Sequence, residues 1–153
     1  MRLKQGDIAP SFSLQSTSGE EVDLASLRGS KILLYFYPKD DTPGCTIEAC
    51  EFRDLNDKLK KAGVLVFGIS ADNIKSHQKF RSKFSLNFNL LTDKDKEISC
   101  AYEVLIKKRM YGREYMGIGR MSFLIDEEGK IEKIWNPVDP NGHAQEVLDL
   151  VIR

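Results

Sequence analysis

Neither sign of charge is in excess: Lys and Arg total 23, as do Asp and Glu, for a formal net charge of zero. There is thus no global positive field to gather nucleic acid or anionic lipid. The short basic runs at Lys58, Lys60 and Lys61 and at Lys107, Lys108 and Arg109 read as solvated faces. No apolar run approaches the roughly 20 residues a bilayer crossing needs. The first seven residues, Met1 to Asp7, lack the apolar core of a signal peptide and the Arg/Ser-rich character of a transit peptide, so the expected compartment is cytoplasmic. Internal repeats, low-complexity tracts and linkers are also missing. One continuous domain over residues 1–153 is expected.

Cysteine and histidine are scarce, with three of the first (Cys45, Cys50, Cys100) and two of the second (His77, His143). A reducing cytosol disfavours permanent bridges, leaving buried fillers, metal ligands or catalytic groups as roles for the thiols. A Cys-x-x-Cys exchange motif is absent. The spacing from Cys45 to Cys50 suits no common zinc site, and three cysteines fall short of a four-thiolate cluster. His77 and His143 lie far apart without ligand-like neighbours and are expected at the surface. Either could in principle serve a cysteine hydrolase as its base. No metal or other cofactor is expected.

What is present alternates between strand and helix. Phe12 to Gln15 and Val22 to Leu24 flank a Ser-Gly turn as an N-terminal hairpin. Lys31 to Tyr37 and Val64 to Ser70 are continuous apolar runs of strand length, suited to burial on both faces. Between them, Pro43 to Ala62 has helical periodicity, with Thr42 at the N-cap, Pro43 in the first position and Gly63 as the stop. Further on, Ile74 to Phe84 predicts a helix, Leu90-Leu91 a short strand, and Lys94 to Tyr102 another helix. Ile106 to Gly119 reads as irregular. Met121 to Ile125 and Lys130 to Trp135 form a hairpin, and Gly142 to Ile152 a closing helix. Parallel pairing early and an antiparallel edge late give an α/β, thioredoxin-like fold: a mixed central sheet with helices on both faces.

Cys45 falls in the first turn of the helix that begins at Pro43. Unpartnered N–H groups and the positive end of the helix dipole favour a thiolate there, and such an environment can bring a thiol from about 8.5 into the neutral range or lower. The site lies beyond the carboxyl end of a central strand, where open α/β sheets place their chemistry. Asp40 or Asp41 facing the sulfur would act in the opposite sense. The plain alternative is a small buried filler. Cys50, five residues on, sits about 8–9 Å away in an intact helix. Since a disulfide needs Cα atoms within about 7 Å, any bridge between the two requires the first turns to unwind.

The segment Pro38-x-x-x-Thr42-x-x-Cys45, with a second cysteine at Cys50, resembles the active-site segment of the peroxiredoxin superfamily, and within it the bacterioferritin comigratory protein (peroxiredoxin Q) subfamily. The likeness continues through Gly6-Asp-x-Ala-Pro10-x-Phe12, Gly68-Ile-Ser70 and Gly119-Arg120 to Asp126. It implies that Cys45 attacks a peroxide and becomes a sulfenic acid. Thr42 would hydrogen-bond peroxide and sulfur, aided by backbone N–H near Gly44 and Cys45. Pro38 would shield the pocket, and Arg120 would lie beside the sulfur and polarise the O–O bond. Cys50 would resolve the sulfenic acid as an intramolecular disulfide, which thioredoxin or a similar dithiol reduces. The resemblance also implies a monomer. Cys100 is expected as a packed helical residue.

Overall fold

Alternation within the run Lys31 to Tyr37 decides the layering. In a computed structural model, which describes residues 2–153, Lys31–Phe36 forms strand β3 after a hairpin of β1 (Ser13–Ser16) and β2 (Glu21–Asp23). Successive side chains of a strand point to opposite faces. Leu33, Tyr35 and Tyr37 accordingly join one core with Ala49, Phe52 and Leu59, while Ile32, Leu34 and Phe36 join a second with Phe12, Tyr102 and Phe123.

Helix α1 (Pro43–Lys61) covers the first face, followed by β4 (Val64–Ser70), α2 (Ile74–Lys83), β5 (Asn89–Thr92) and the short α3 (Glu97–Ala101). The strands β6 (Leu105–Met110), β7 (Arg113–Ile118), β8 (Met121–Ile125) and β9 (Ile131–Trp135) precede α4 (His143–Val151). Seven strands make one sheet in the order β2-β1-β5-β4-β3-β8-β9; β6 and β7 pair with each other. β3, β4 and β5 run parallel, whereas β8 is antiparallel to β3 and β9 to β8. α1, α2 and α4 contribute to the core on one face, and the segment around α3 to that on the other. This is the expected mixed sheet, with element ends moved by a residue or two.

Two expectations need correction. Ile106 to Gly119 is not irregular: most of it forms the β6–β7 hairpin around a turn at Tyr111-Gly112. Most of its residues are exposed, so they carry no buried-face alternation for a sequence reading to detect. The helix expected over 94–102 shrinks to α3, because Lys96 adopts a left-handed conformation (φ 60°) and the Asp93 carboxylate accepts the amides of Ile98 and Ser99. Cys100 therefore sits on a single helical turn and is exposed, not packed.

Candidate active site

β3 delivers the chain to Pro38 at the edge of the first core, and the loop through Thr42 turns it into α1. Thr42 occupies the N-cap position in extended conformation, with Pro43 opening the helix. Its hydroxyl does not cap; it donates to the Lys39 carbonyl at 2.9 Å. The N–H groups of the first turn thus have no capping side chain from Thr42, which leaves them as donors beside Cys45. Pro38 and Thr42 are half-buried, and Cys45 is only 1% exposed.

Burial alone would favour the filler reading of Cys45, but the sulfur has a polar neighbour. Arg120 Nη2 donates to Cys45 Sγ at 3.4 Å, and Nη1 donates to Glu48 Oε1 at 2.9 Å. The arginine follows β7 and is fixed by its main chain: Gly119 N–H donates to Val104 O, and Arg120 O accepts from Val138 N–H. A Cβ on Gly44 would lie 3.0 Å from Arg120 Nη2, so this glycine gives the guanidinium room to reach the sulfur.

Charge holds this triad together. Burial works against the Arg120 cation, but Cys45 and Glu48 offset it through charge and hydrogen bonding, and the arginine's pKa lies above its ordinary value. Burial pushes the Glu48 carboxyl up to about 7 despite the opposing pull of Arg120. Its Oε2 has no hydrogen-bond partner among the described residues. Glu48 was not singled out from the sequence. The available signal was its place three residues after Cys45, which puts the two on neighbouring positions of one helical face.

Cys50 is half-buried on the same helix, which is intact from Pro43 to Lys61, and all three cysteines are free thiols. Asp40 and Asp41 do not oppose the sulfur in the way the sequence allowed, because both turn to α2. Asp40 accepts from Tyr37 Oη at 2.6 Å and Ser76 Oγ at 2.8 Å, and pairs with His77 Nδ1 at 2.8 Å. Asp41 accepts from Lys83 at 2.7 Å.

The histidines correct another expectation, since His77 and His143 are 0% and 2% exposed. Each is buried because both ring nitrogens find partners. His77 bridges Asp40 and the Leu91 carbonyl; His143 meets Ser122 Oγ and Glu146. Asp40, Asp72 and His77 bring potential ligand atoms within 4.8 Å of one another. Those atoms already hydrogen-bond: Asp72 accepts from the Asp40 amide and from Ser70 Oγ. The cluster ties the Cys45 loop to β4 and α2.

A buried thiol beneath a guanidinium at a helix start can be compared with known proteins. The sequence model of the AhpC/TSA family matches residues 5–134. The chain belongs to the AhpC/TSA family. Among its relatives in that family, peroxiredoxin Bcp of Escherichia coli (strain K12) is 48% identical over 147 residues, covering 96% of this chain and 94% of that one. The structure resembles the bacterioferritin comigratory protein of Xanthomonas campestris, studied for alkyl peroxide reduction, with a TM-score of 0.87 and 37% identity over 92% of this chain and 90% of the other. A Cys-to-Ser mutant of Xylella fastidiosa PrxQ gives a TM-score of 0.93 and 33% identity, covering 99% and 97% of the two chains. The family match includes the loop before α1 and the positions of Cys45 and Arg120. Among the described residues, no helix is long and apolar enough to cross a membrane.

Proposed function

We propose that the protein is a thiol peroxidase that reduces hydrogen peroxide and organic hydroperoxides through Cys45. The observation that carries this reading is the 3.4 Å hydrogen bond from Arg120 to Cys45 Sγ. The sulfur, the nucleophile of this chemistry, thus accepts directly from a guanidinium. The thiolate attacks the terminal oxygen of the hydroperoxide. The S–O bond forms as the O–O bond breaks, Cys45 becomes a sulfenic acid, and the other oxygen departs with the electron pair, taking a proton to leave as alcohol or water. Negative charge develops on that oxygen, and Arg120 together with the uncapped first-turn N–H groups beside Cys45 supplies donors that lower the barrier. Thr42, whose own proton is committed to Lys39, accepts from the hydroperoxide O–H. Pro38 covers the approach, and Glu48 holds the guanidinium in place.

Cys50 then attacks the sulfenic sulfur, releasing water and forming the Cys45–Cys50 disulfide, which thioredoxin or a similar dithiol reduces. The family's chemistry and the position of Cys50 on α1 support this route. The protein works as a monomer in the cytoplasm and uses no metal or other cofactor. Mass spectrometry after one equivalent of peroxide tests the scheme. Wild type is expected to form the Cys45–Cys50 disulfide, and Cys50→Ser to accumulate a sulfenic acid on Cys45. Peroxide consumption by Cys45→Ser at the wild-type rate would overturn it.

A further inference from the structure

The β6–β7 hairpin stands apart from the main sheet and carries five of the eight large hydrophobic residues exposed among the described residues: Ile106, Met110, Tyr111, Tyr115 and Met116. Single exposed apolar residues need no explanation, but such a concentration marks an interaction surface. Register gives the patch a face. Ile106 lies opposite Gly117, Lys108 opposite Tyr115, and Met110 opposite Arg113, and directly opposed residues share one side of a sheet. A Cβ on Gly117 would come within 2.8 Å of Lys108 Cδ, so the glycine lets that side chain lie across the strand to donate to Ile118 O at 2.9 Å.

The hairpin lies against the segment that carries Arg120: a Cβ on Gly119, the residue before it, would lie 3.3 Å from Ile106 Cγ2, and Arg120 itself donates to Cys45 Sγ at 3.4 Å. In the chain, β7 ends two residues before Arg120.

Charge selects the occupant. This face holds the cations Lys108 and Arg113 and no carboxylate; Glu114 lies on the other face, paired with Lys107 and Arg109. A two-fold pairing of identical chains would set one basic hairpin against another, which like-charge repulsion opposes. A protein with an apolar surface and an acidic rim fits. We propose that the Ile106–Met110–Tyr115 face of the hairpin is the docking surface for the dithiol protein that reduces the Cys45–Cys50 disulfide. This rests on the thiol-peroxidase reading. A thiolate of the docked protein attacks one sulfur of the disulfide and expels the other as a thiolate. Its second thiol then breaks the mixed disulfide, so two electrons pass to this chain and the partner leaves oxidised.

Steady-state peroxide turnover with thioredoxin, its reductase and NADPH, run in parallel with dithiothreitol as the only reductant, separates docking from chemistry. In Met110→Ser/Tyr115→Ser, the KM for thioredoxin is expected to rise about tenfold, the loss typical of truncated interface anchors. Dithiothreitol-supported turnover should be unchanged. Arg113→Glu should weaken thioredoxin use further and flatten its dependence on salt. An unaltered KM for thioredoxin in both variants overturns the proposal, as does wild type turning over with dithiothreitol but not with thioredoxin. It is equally overturned if wild type sediments as a dimer that Met110→Ser/Tyr115→Ser breaks, since a second copy would then be the occupant. Absence of turnover with dithiothreitol in wild type would instead strike the peroxidase reading itself.

Discussion

Arg120 joins two groups distant in sequence: Glu48, 72 residues away, and Cys45, 75 residues away. Because it donates to the reacting sulfur, replacing it by Met removes both a charge and a donor. The second-order rate constant for hydrogen peroxide, followed by stopped-flow fluorescence, is expected to fall about 10²–10³-fold, as when one preorganised donor is lost. Gly44→Ala tests the same contact from the other side. Its Cβ would press on Nη2 at 3.0 Å, and the guanidinium, tethered by Glu48, must shift away from the sulfur. A fall of about tenfold in the peroxide rate is expected, with little further fall when Gly44→Ala is added to Arg120→Met. Coupling of this kind between contacting residues is what a double-mutant cycle measures.

Helix α1 must be both rigid and able to open. Intact, it holds Cys45 beneath Arg120 with Cys50 more than a turn away; closing the disulfide requires its first turns to unwind. The two ends of the helix differ in their support. At the far end, Lys58, Lys60 and Lys61 complement the dipole and Gly63 (φ 84°) stops the helix, whereas the beginning has no side-chain cap. Hydrogen–deuterium exchange should therefore show protection of residues 43–52 in the reduced protein and in Cys50→Ser exposed to peroxide, lost on formation of the disulfide. Equal protection in all three states would exclude the unwinding. The loop before α1 has a different restraint, because Asp40 is tied to Tyr37, Ser76 and His77. Neither this restraint nor the β6–β7 hairpin was legible in the sequence. A cluster formed by distant residues leaves no local pattern, and an exposed hairpin shows no apolar alternation.

At the scale of the molecule, the buried carboxyl of Glu48 links the site to stability. Its pKa rises from 4.5 to about 7 on folding, so between those values the native state keeps a proton that the unfolded chain has released. Stability from this group is fully present below pH 4.5 and is lost as pH rises through about 7, on the order of 3 kcal/mol across that window. Urea denaturation at pH 5 and pH 8 should show a larger loss in wild type than in Glu48→Gln, whose side chain does not titrate. A pH dependence identical in the two proteins would contradict the buried-carboxyl assignment.

Local order in the chain determined much of this protein. The apolar runs that become β3, β4 and β8, the Thr-Pro helix start and the Gly63 stop each depend on residues next to one another, so strand, helix and the place of Cys45 could be read directly. The family likeness then indicated Arg120. Only the tertiary structure decided which charges meet: that Glu48 grips Arg120, that Gly44 makes room for it, and that Asp40 and Asp41 turn to α2. Such pairings depend on chain closure over tens of residues and on the loss of water around them, and neither is encoded in a periodicity.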